Sequence, residues 1–430
     1  MSSGGNPRSI AHRWTWGVAD QAVVSVVNLA CGVAVARAVS QSTFGSFAIA
    51  LTLYWFALGL SRAFTNEPYA IRFGSGSQGD HPGGATAAGT SLVVGAFIAT
   101  LALVVSAGLA PPLRSAIASV ALVLPMLMLQ DFVRTAAFVA RRPSVAFVAD
   151  SVWLASFLGA CFLLTTSGSD VLVAYVLAWG LTAGVAAAVG LVMLRMEPRV
   201  TGSRLWITRN RDLIPRLAVE ASIGVLMLQL YIVAVGIIAG LDAVGSIRAA
   251  QLLFGPWQVL LMGTMLVALP EAARLLAARG PASLVQFALV VGGGLAAVAV
   301  IWGAVLVALP DALGAQILGD SWTGAAPLLF LTGISLAPLA AISGAAIGLR
   351  ALAAVRRSLP SQVATAVIVV TGAAAGAFLG GARGALVGVT IAGIASVCIW
   401  WWQLLAAGHA HAGPGTPRRG TARVAVDESL

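Results

Sequence analysis

The chain has 430 residues, of which 59% are hydrophobic and only 9% charged, and its mean hydropathy is +0.94. Soluble domains usually carry about 25% charged residues, so an ordinary cytosolic enzyme, a disordered protein and a secreted disulfide scaffold are all excluded. All 25 basic residues are Arg, against 15 acidic ones, and a net charge of +10 that would suggest nucleic acid in a soluble protein is here first a signal of membrane topology.

A spanning helix needs roughly 20 apolar residues. The first such segment, 17–38, begins too late and runs too long for a cleaved signal peptide, and no Ala-x-Ala site precedes a polar mature region. It reads as the first transmembrane helix. The others follow at 43–63, 87–108, 115–138, 145–166, 171–194, 217–240, 248–270, 282–308, 322–349, 360–380 and 384–405. The fold class is therefore an all-α polytopic membrane protein of about twelve helices. The long ninth and tenth segments are expected to be tilted or broken. Pro125, Pro256 and Pro338 fall inside predicted helices, lack the amide hydrogen of a normal ladder, and predict kinks there. Cys31, Cys161 and Cys398 lie in apolar stretches without ligand spacing and read as buried small side chains.

Arg placement tests this layout independently. With the N-terminus in the cytoplasm, 21 of the 25 Arg fall in inside-facing segments, leaving Arg37, Arg114, Arg248 and Arg383 toward the other side. That asymmetry predicts an N-in, C-in orientation in a bacterial cytoplasmic membrane. The basic stretch 195–216 separates an N-terminal six-helix lobe, 17–194, from a C-terminal one, 217–405, followed by a flexible cytoplasmic tail, 406–430. Both halves then start on the same side, as parallel transporter repeats do. An internal echo agrees: Phe44-Gly45-Ser46-Phe47 and Val244-Gly245-Ser246-Ile247 both open the second helix of their half, and Glu67-Pro68 recurs reversed as Pro270-Glu271. Gly376 to Gly380 is a small-residue spacing that lets helices approach closely.

No G-x-x-x-x-G-K-[ST] loop is present, so transport energy would not come from ATP bound by this chain. His12, His81, His409 and His411 lie in terminal or loop segments without metalloprotease spacing, and no catalytic residue, metal or cofactor is predicted. Charges inside apolar segments matter more, because hydrocarbon penalises them unless they are paired or wet. Asp20, Asp131, Arg134 and Asp150 all fall toward the cytoplasmic ends of helices one, four and five, and Asp131 and Arg134 are spaced for a salt bridge. Glu220 falls at the same level on helix seven. Together they outline a gate lining a cavity between the halves, or local pairing and charges reaching the interface. Arg62 and Glu67, flanking Asn66, support a gate or a lipid head-group contact, or anchor at the interface. Deeper down, Asn28, Tyr54, Trp55, Gln229 and Gln258 are candidates to line a substrate cavity by hydrogen bonding and stacking, or to bond a neighbouring helix.

The stretch Ala36-Arg37-Ala38-Val39-Ser40-Gln41-Ser42-Thr43-Phe44-Gly45-Ser46-Phe47, with Ala249-Ala250-Gln251-Leu252-Leu253-Phe254-Gly255-Pro256 and Ala268-Leu269-Pro270, resembles the polysaccharide and lipid-linked oligosaccharide flippases of the multidrug/oligosaccharidyl-lipid/polysaccharide transporter superfamily. The likeness extends in coarse topology over 17–405. It implies two six-helix lobes around an alternating-access cavity, a lipid-linked glycan as substrate, membrane lipid and glycan-assembly enzymes as partners, and no nucleic acid. Proton or sodium coupling stays open. So do a drug exporter, a major-facilitator-type carrier, a membrane glycan polymerase or ligase, and a channel. The basic, Gly-rich motif of the major-facilitator class is not evident in Ser61–Tyr69, and the short external loops leave little room for a polymerase site.

Overall fold

The computed structural model describes residues 7–74, 83–169, 171–352 and 354–412. The centre of the predicted loop 64–86, with His81, and the tail beyond Ala412 lie outside the described residues. The described chain is helical from end to end: α1 (Pro7–Ala38), α2 (Gln41–Ser61), a π-helical turn (Arg62–Asn66), α3 (Glu67–Phe73), α4 (Gly84–Ala107), α5 (Leu113–Val139), α6 (Pro143–Thr166) and α7 (Leu172–Leu194). A short α8 (Ser203–Arg209) leads into α9 (Ile214–Leu252), α10 (Gly255–Arg279), α11 (Pro281–Val307), α12 (Asp311–Leu318), α13 (Ser321–Ala325), α14 (Leu329–Ala351) and α15 (Val355–Ala412). Eleven segments are long and apolar enough to cross a bilayer, and the last of these, Pro360–His411, is 52 residues long.

Two of the long helices are hairpins. Gly381 has φ 58°, and beyond this point α15 runs back along itself, bringing Gly376 against Gly384 and Gly372 against Gly388. Gly380, expected to pack with Gly376, instead sits in the open turn. At Gly240, with φ 85°, α9 reverses in the same way, and Gly236 returns to face Val244. A positive φ costs glycine nothing, which is why both reversals use it. The eighth predicted helix accordingly begins at Leu241 rather than at 248, and it breaks at Leu253–Phe254, just before Pro256. Pro256 therefore stands in the first turn of α10, where its missing amide hydrogen is harmless, and not at a mid-helix kink. Trp302 donates its indole N–H to the freed Leu253 carbonyl at 2.9 Å. Pro125 and Pro338 do lie inside helices, each packed against a glycine, Gly95 and Gly393.

Other boundaries also move. The first helix starts at Pro7 rather than 17, and the second continues through the π turn to Phe73, so that the first ten residues of the expected loop 64–86 are helix. Of the cysteines only Cys31 is buried. Cys398 is exposed, against expectation, since lipid accepts a thiol as readily as a core does.

Within residues 7–194, α5 is the central helix, packed by α2, α4, α6 and α7, with α1 against α6. In the remainder α14 is central, packed by α10, α11 and α15, while α9 lies against α15. The two parts meet chiefly where α2 crosses α9. Because helices gain little from hydrophobic burial in lipid, close contacts of small residues carry much of the cohesion, and the glycine stripe of α15 is one such contact. A Cβ on Gly376 would overlap the Gly384 carbonyl, whereas none of the surroundings of Gly293 on α11 lies within 4 Å. Gly376→Val is therefore expected to lower the thermal melting temperature in detergent markedly, on the scale of about 1–3 kcal/mol for overpacking, and Gly293→Val to leave it nearly unchanged. Equal melting temperatures would remove the hairpin contact as a source of stability.

Candidate functional site

The charged residues of the first part converge on α5. Arg134 reaches Asp20 of α1 with Nη2 at 2.7 Å and Asp150 of α6 with Nε at 2.8 Å. Both carboxylates are fully buried. The Nε contact is close but not directed as a hydrogen bond, and Asp20 Oδ1 is likewise buried without a donor. Gln130 donates to the other oxygen of Asp150. One turn of α5 away, Asp131 is clamped by Arg62, Nε to Oδ2 at 2.8 Å and Nη2 to Oδ1 at 2.6 Å, the two-pronged geometry in which guanidinium and carboxylate bind most strongly. Asn66 adds bonds to Asp131 Oδ2 at 2.8 Å and to Thr135 at 2.9 Å. The expected Asp131–Arg134 bridge is the weakest contact, at 3.9 Å, because the guanidinium turns across to α1 and α6 instead.

The π turn places Arg62 and Asn66 against Asp131. Within the π turn the Phe64 carbonyl accepts the Trp206 indole N–H at 2.9 Å from α8. Trp206 packs with Tyr69, Phe73 and Phe132, and Arg72 of α3 bonds Asn210 at 2.6 Å and Asp212 at 2.8 Å, so the segment joining the two parts is fastened to the helix that carries Arg62. A cleft of about 300 Å³ beside the network is lined by Gln21, Arg62, Asn66, Glu67, Asp131 and Arg134 among others.

Thus Asp20, Arg62, Asp131, Arg134 and Asp150 come together, inside the first part and not between the two. Glu220 does not join them. It is exposed on α9, within electrostatic range of the exposed Glu67. Tyr54 is buried edge-on to Trp179 at 5.0 Å, which places it in packing, while Trp55 beside it is exposed. Asn28 is half-buried on α1, and Gln258 is exposed on α10. Gln130, Asn66 and Thr135 complete the network and were not among the expected site residues; Gln130 was legible as the neighbour of a buried acid.

A second polar group lies in the α9 hairpin, where of the expected residues only Gln229 takes part. Its Oε1 accepts from Arg248 Nη2 at 2.6 Å, Arg248 Nη1 donates to Gln251 Oε1 at 3.2 Å, and Gln251 Nε2 donates to the Tyr231 hydroxyl at 2.9 Å. Among the described residues no carboxylate pairs with Arg248, and its buried Nε has no acceptor. Arg248, expected at the outer end of the eighth helix as its first residue, is set two turns further in by the earlier start of that helix at Leu241. With both amide oxygens turned onto Arg248, the groups left over at this site are mainly donors, the equipment for an anion. Among the described residues no three His, Cys, Asp or Glu are grouped to hold a metal.

No protein-family model and no curated protein matches the chain. Solved structures do. An inward-facing multidrug resistance MATE family transporter of the MOP superfamily aligns at TM-score 0.62 over 91% of this chain and 96% of its own, at 15% identity. Lipid II flippase MurJ in an inward closed conformation aligns at 0.62 over 93% and 90%, at 9% identity. The chain has the fold of these transporters. An outward-facing MATE family transporter aligns at 0.51 over 94% and 97%, at 15% identity.

Removing one partner from a buried ion cluster strands the others, at a cost of about 3–5 kcal/mol. Arg134→Ala is therefore expected to lower thermal stability in detergent strongly, and Asp150→Asn added to it to restore part of the loss. Arg62→Ala is expected to cost less, since its side chain is 45% exposed and Asn66 still holds Asp131. An Arg134→Ala protein as stable as the parent would show that the network does not hold α1, α5 and α6 together.

Proposed function

We propose that the chain is a multi-pass transporter of the bacterial cytoplasmic membrane that moves a lipid-linked oligosaccharide or polysaccharide precursor by alternating access. The α9 and α15 hairpins complete twelve crossings, in two six-helix lobes with both termini in the cytoplasm. The observation that carries the substrate class is a contrast in charge. In the first part the carboxylates at depth are occupied by Arg62 and Arg134, whereas in the second Arg248 has neutral partners only. A cationic drug would find its acidic groups already engaged, while an anionic head group, such as the phosphate linking a glycan to its lipid, meets an uncompensated guanidinium. The head group would enter between the lobes from the end that carries the termini, delivered by glycan-assembly enzymes, while the lipid tail stays in the bilayer. No covalent bond changes in such a cycle, which makes the protein a transporter and not an enzyme.

Three carboxylates face two guanidiniums in the network, leaving one negative charge unmatched. A proton or a sodium ion taken up there would balance it, and that favours ion-coupled export as the second reading.

Purified protein in sealed liposomes is expected to translocate a labelled lipid-linked glycan without hydrolysing it. Arg248→Ala is expected to slow translocation roughly tenfold or more, as loss of a charge-assisted hydrogen bond of about 1.5–3 kcal/mol does, with partial retention in Arg248→Lys. Movement of a soluble cationic drug with no movement of the glycan lipid would sink the substrate assignment. In a cysteine-free background, Leu205→Cys should react with an impermeant maleimide from the cytoplasmic side and Ala312→Cys from the other, and the reverse pattern would overturn the orientation.

A further inference from the structure

Trp55 belongs neither to the buried core nor to the ion network. It is 38% exposed on α2, beside Tyr54, whose own ring is turned inward onto Trp179. Seven residues make two helical turns, so Trp55 shares a face of α2 with Arg62, which lines the cleft with Gln21 of α1 and Glu67. Glu67 in turn lies within electrostatic range of Glu220 from the other half. That face of α2 therefore borders the space between the halves.

Helix register fixes its depth. The first arm of α9 runs antiparallel to α2, and the Ile49 side chain lies on Gly236. Toward the end that carries the termini, Trp55 is six residues from Ile49 and Gln229 is seven from Gly236, so the two stand at one level. The other pair of helices gives the same answer. A Cβ on Gly45 would overlap the Leu241 carbonyl and one on Gly245 the Gln41 carbonyl, so the halves are matched in space at the offset of 200 residues seen in the sequence echo. In that second pair Leu29 of α1 lies on Gly255, and the counterparts of these positions are Gln229 and Trp55. Gln229 is the residue that takes Arg248, through Oε1 at 2.6 Å. Its amide N–H groups have no acceptor among the described residues, and the Tyr231 hydroxyl, which accepts from Gln251, keeps its own proton to donate. One half thus brings a guanidinium with neutral partners and spare donors, and the other brings a flat indole to the same level. A bare anion has no use for the indole, and a lipid tail has none for the donors. A sugar joined to a phosphate presents an anion, a rim of hydroxyls and a face of C–H bonds in one head group.

We propose that Trp55 is the stacking platform for the sugar nearest the phosphate, with Arg248 holding that phosphate and Gln229 and Tyr231 reaching the ring hydroxyls. This rests on the glycan-lipid reading above. Selection for a glycan is then made jointly by one helix from each half. An aromatic face favours a ring over an open chain without dictating the positions of its hydroxyls, so Trp55 selects for a sugar as such, and the donors opposite it choose among sugars.

The test compares the binding of two radiolabelled carriers to the purified protein: a polyprenyl phosphate, and the same carrier with one hexose on its phosphate. Trp55→Ala should weaken the glycosylated carrier roughly tenfold, the scale of a lost ring-face contact, and leave the sugar-free carrier at the parental affinity. Trp55→Phe should keep part of the difference. Arg248→Ala should weaken both carriers, and Trp402→Ala, whose side chain is exposed on α15, neither. Equal loss of both carriers in Trp55→Ala would make Trp55 a lipid-tail or packing residue and overturn the proposal, as would loss of neither. A second measurement needs no substrate. In nanodiscs, Trp55→Cys in protein lacking Cys31, Cys161 and Cys398 should react with a water-soluble maleimide, and an inert thiol there would place position 55 against lipid and equally overturn the proposal. Parent protein that does not bind the glycosylated carrier overturns the glycan-lipid reading and this inference with it, whereas parent binding that ignores Trp55 overturns this inference alone.

Discussion

Hydrocarbon offers a buried guanidinium no water, so Arg134 is placed at depth only because α1 and α6 each bring a carboxylate to it. That requirement fixes more than a side chain. Asp20 and Asp150 must lie on helix faces turned toward α5, and Asp131 must accept Arg62 from α2, so four helices are registered against one another by charge. Close packing then follows around α5, two-thirds of whose apolar span is buried. The π turn belongs to the same constraint, since it occurs where Arg62 and Asn66 face Asp131, and the Trp206 indole of α8 donates to its Phe64 carbonyl.

The second half solves the cohesion problem differently. With no comparable ion network among its described residues, it relies on backbones that approach where glycine removes the Cβ: α11 against α14 at Gly292 with Gly344 and Gly303 with Gly333, and the two arms of α15 against each other. Contacts of this kind are individually weak, tolerant of sliding, and intolerant of added bulk. A half held by charge pairs and a half held by backbone contact differ in how easily they deform. α10, mostly exposed and broken from the end of α9 at Phe254, belongs to the softer one.

Much of this was legible in the sequence, and what was not has specific causes. Apolar run length located the helices because lipid thickness sets that length, and the depth of Asp20, Asp131, Arg134 and Asp150 marked the network because polar residues there stand out. Partner choice was hidden: a three-residue spacing makes Asp131 and Arg134 neighbours, but the stronger bonds go to groups more than 60 positions away or on the next helix. The start of the eighth helix was also misplaced. The seventh was expected to end at 240, where the chain does reverse, but the next was set seven residues late, which put Arg248 at its outermost position. Its depth became visible only when Gln229 and Tyr231 were brought back alongside it.

The echo of Gly45 and Gly245 shows why a repeat that is faint in sequence can be firm in space. Two copies of a helix related by a pseudo-twofold axis meet themselves on that axis, where any side chain at the crossing would have to clash with its own counterpart. A small residue is therefore demanded in both copies, while positions away from the axis are free to diverge. Glu67-Pro68 and Pro270-Glu271 lie far from it and recur only in reverse. Gly45 with Ser46 and Gly245 with Ser246 lie on it and keep both identity and spacing. Similarity between the halves is thus retained where the axis enforces it, and the charged interior, which the axis does not touch, has become the property of one half alone.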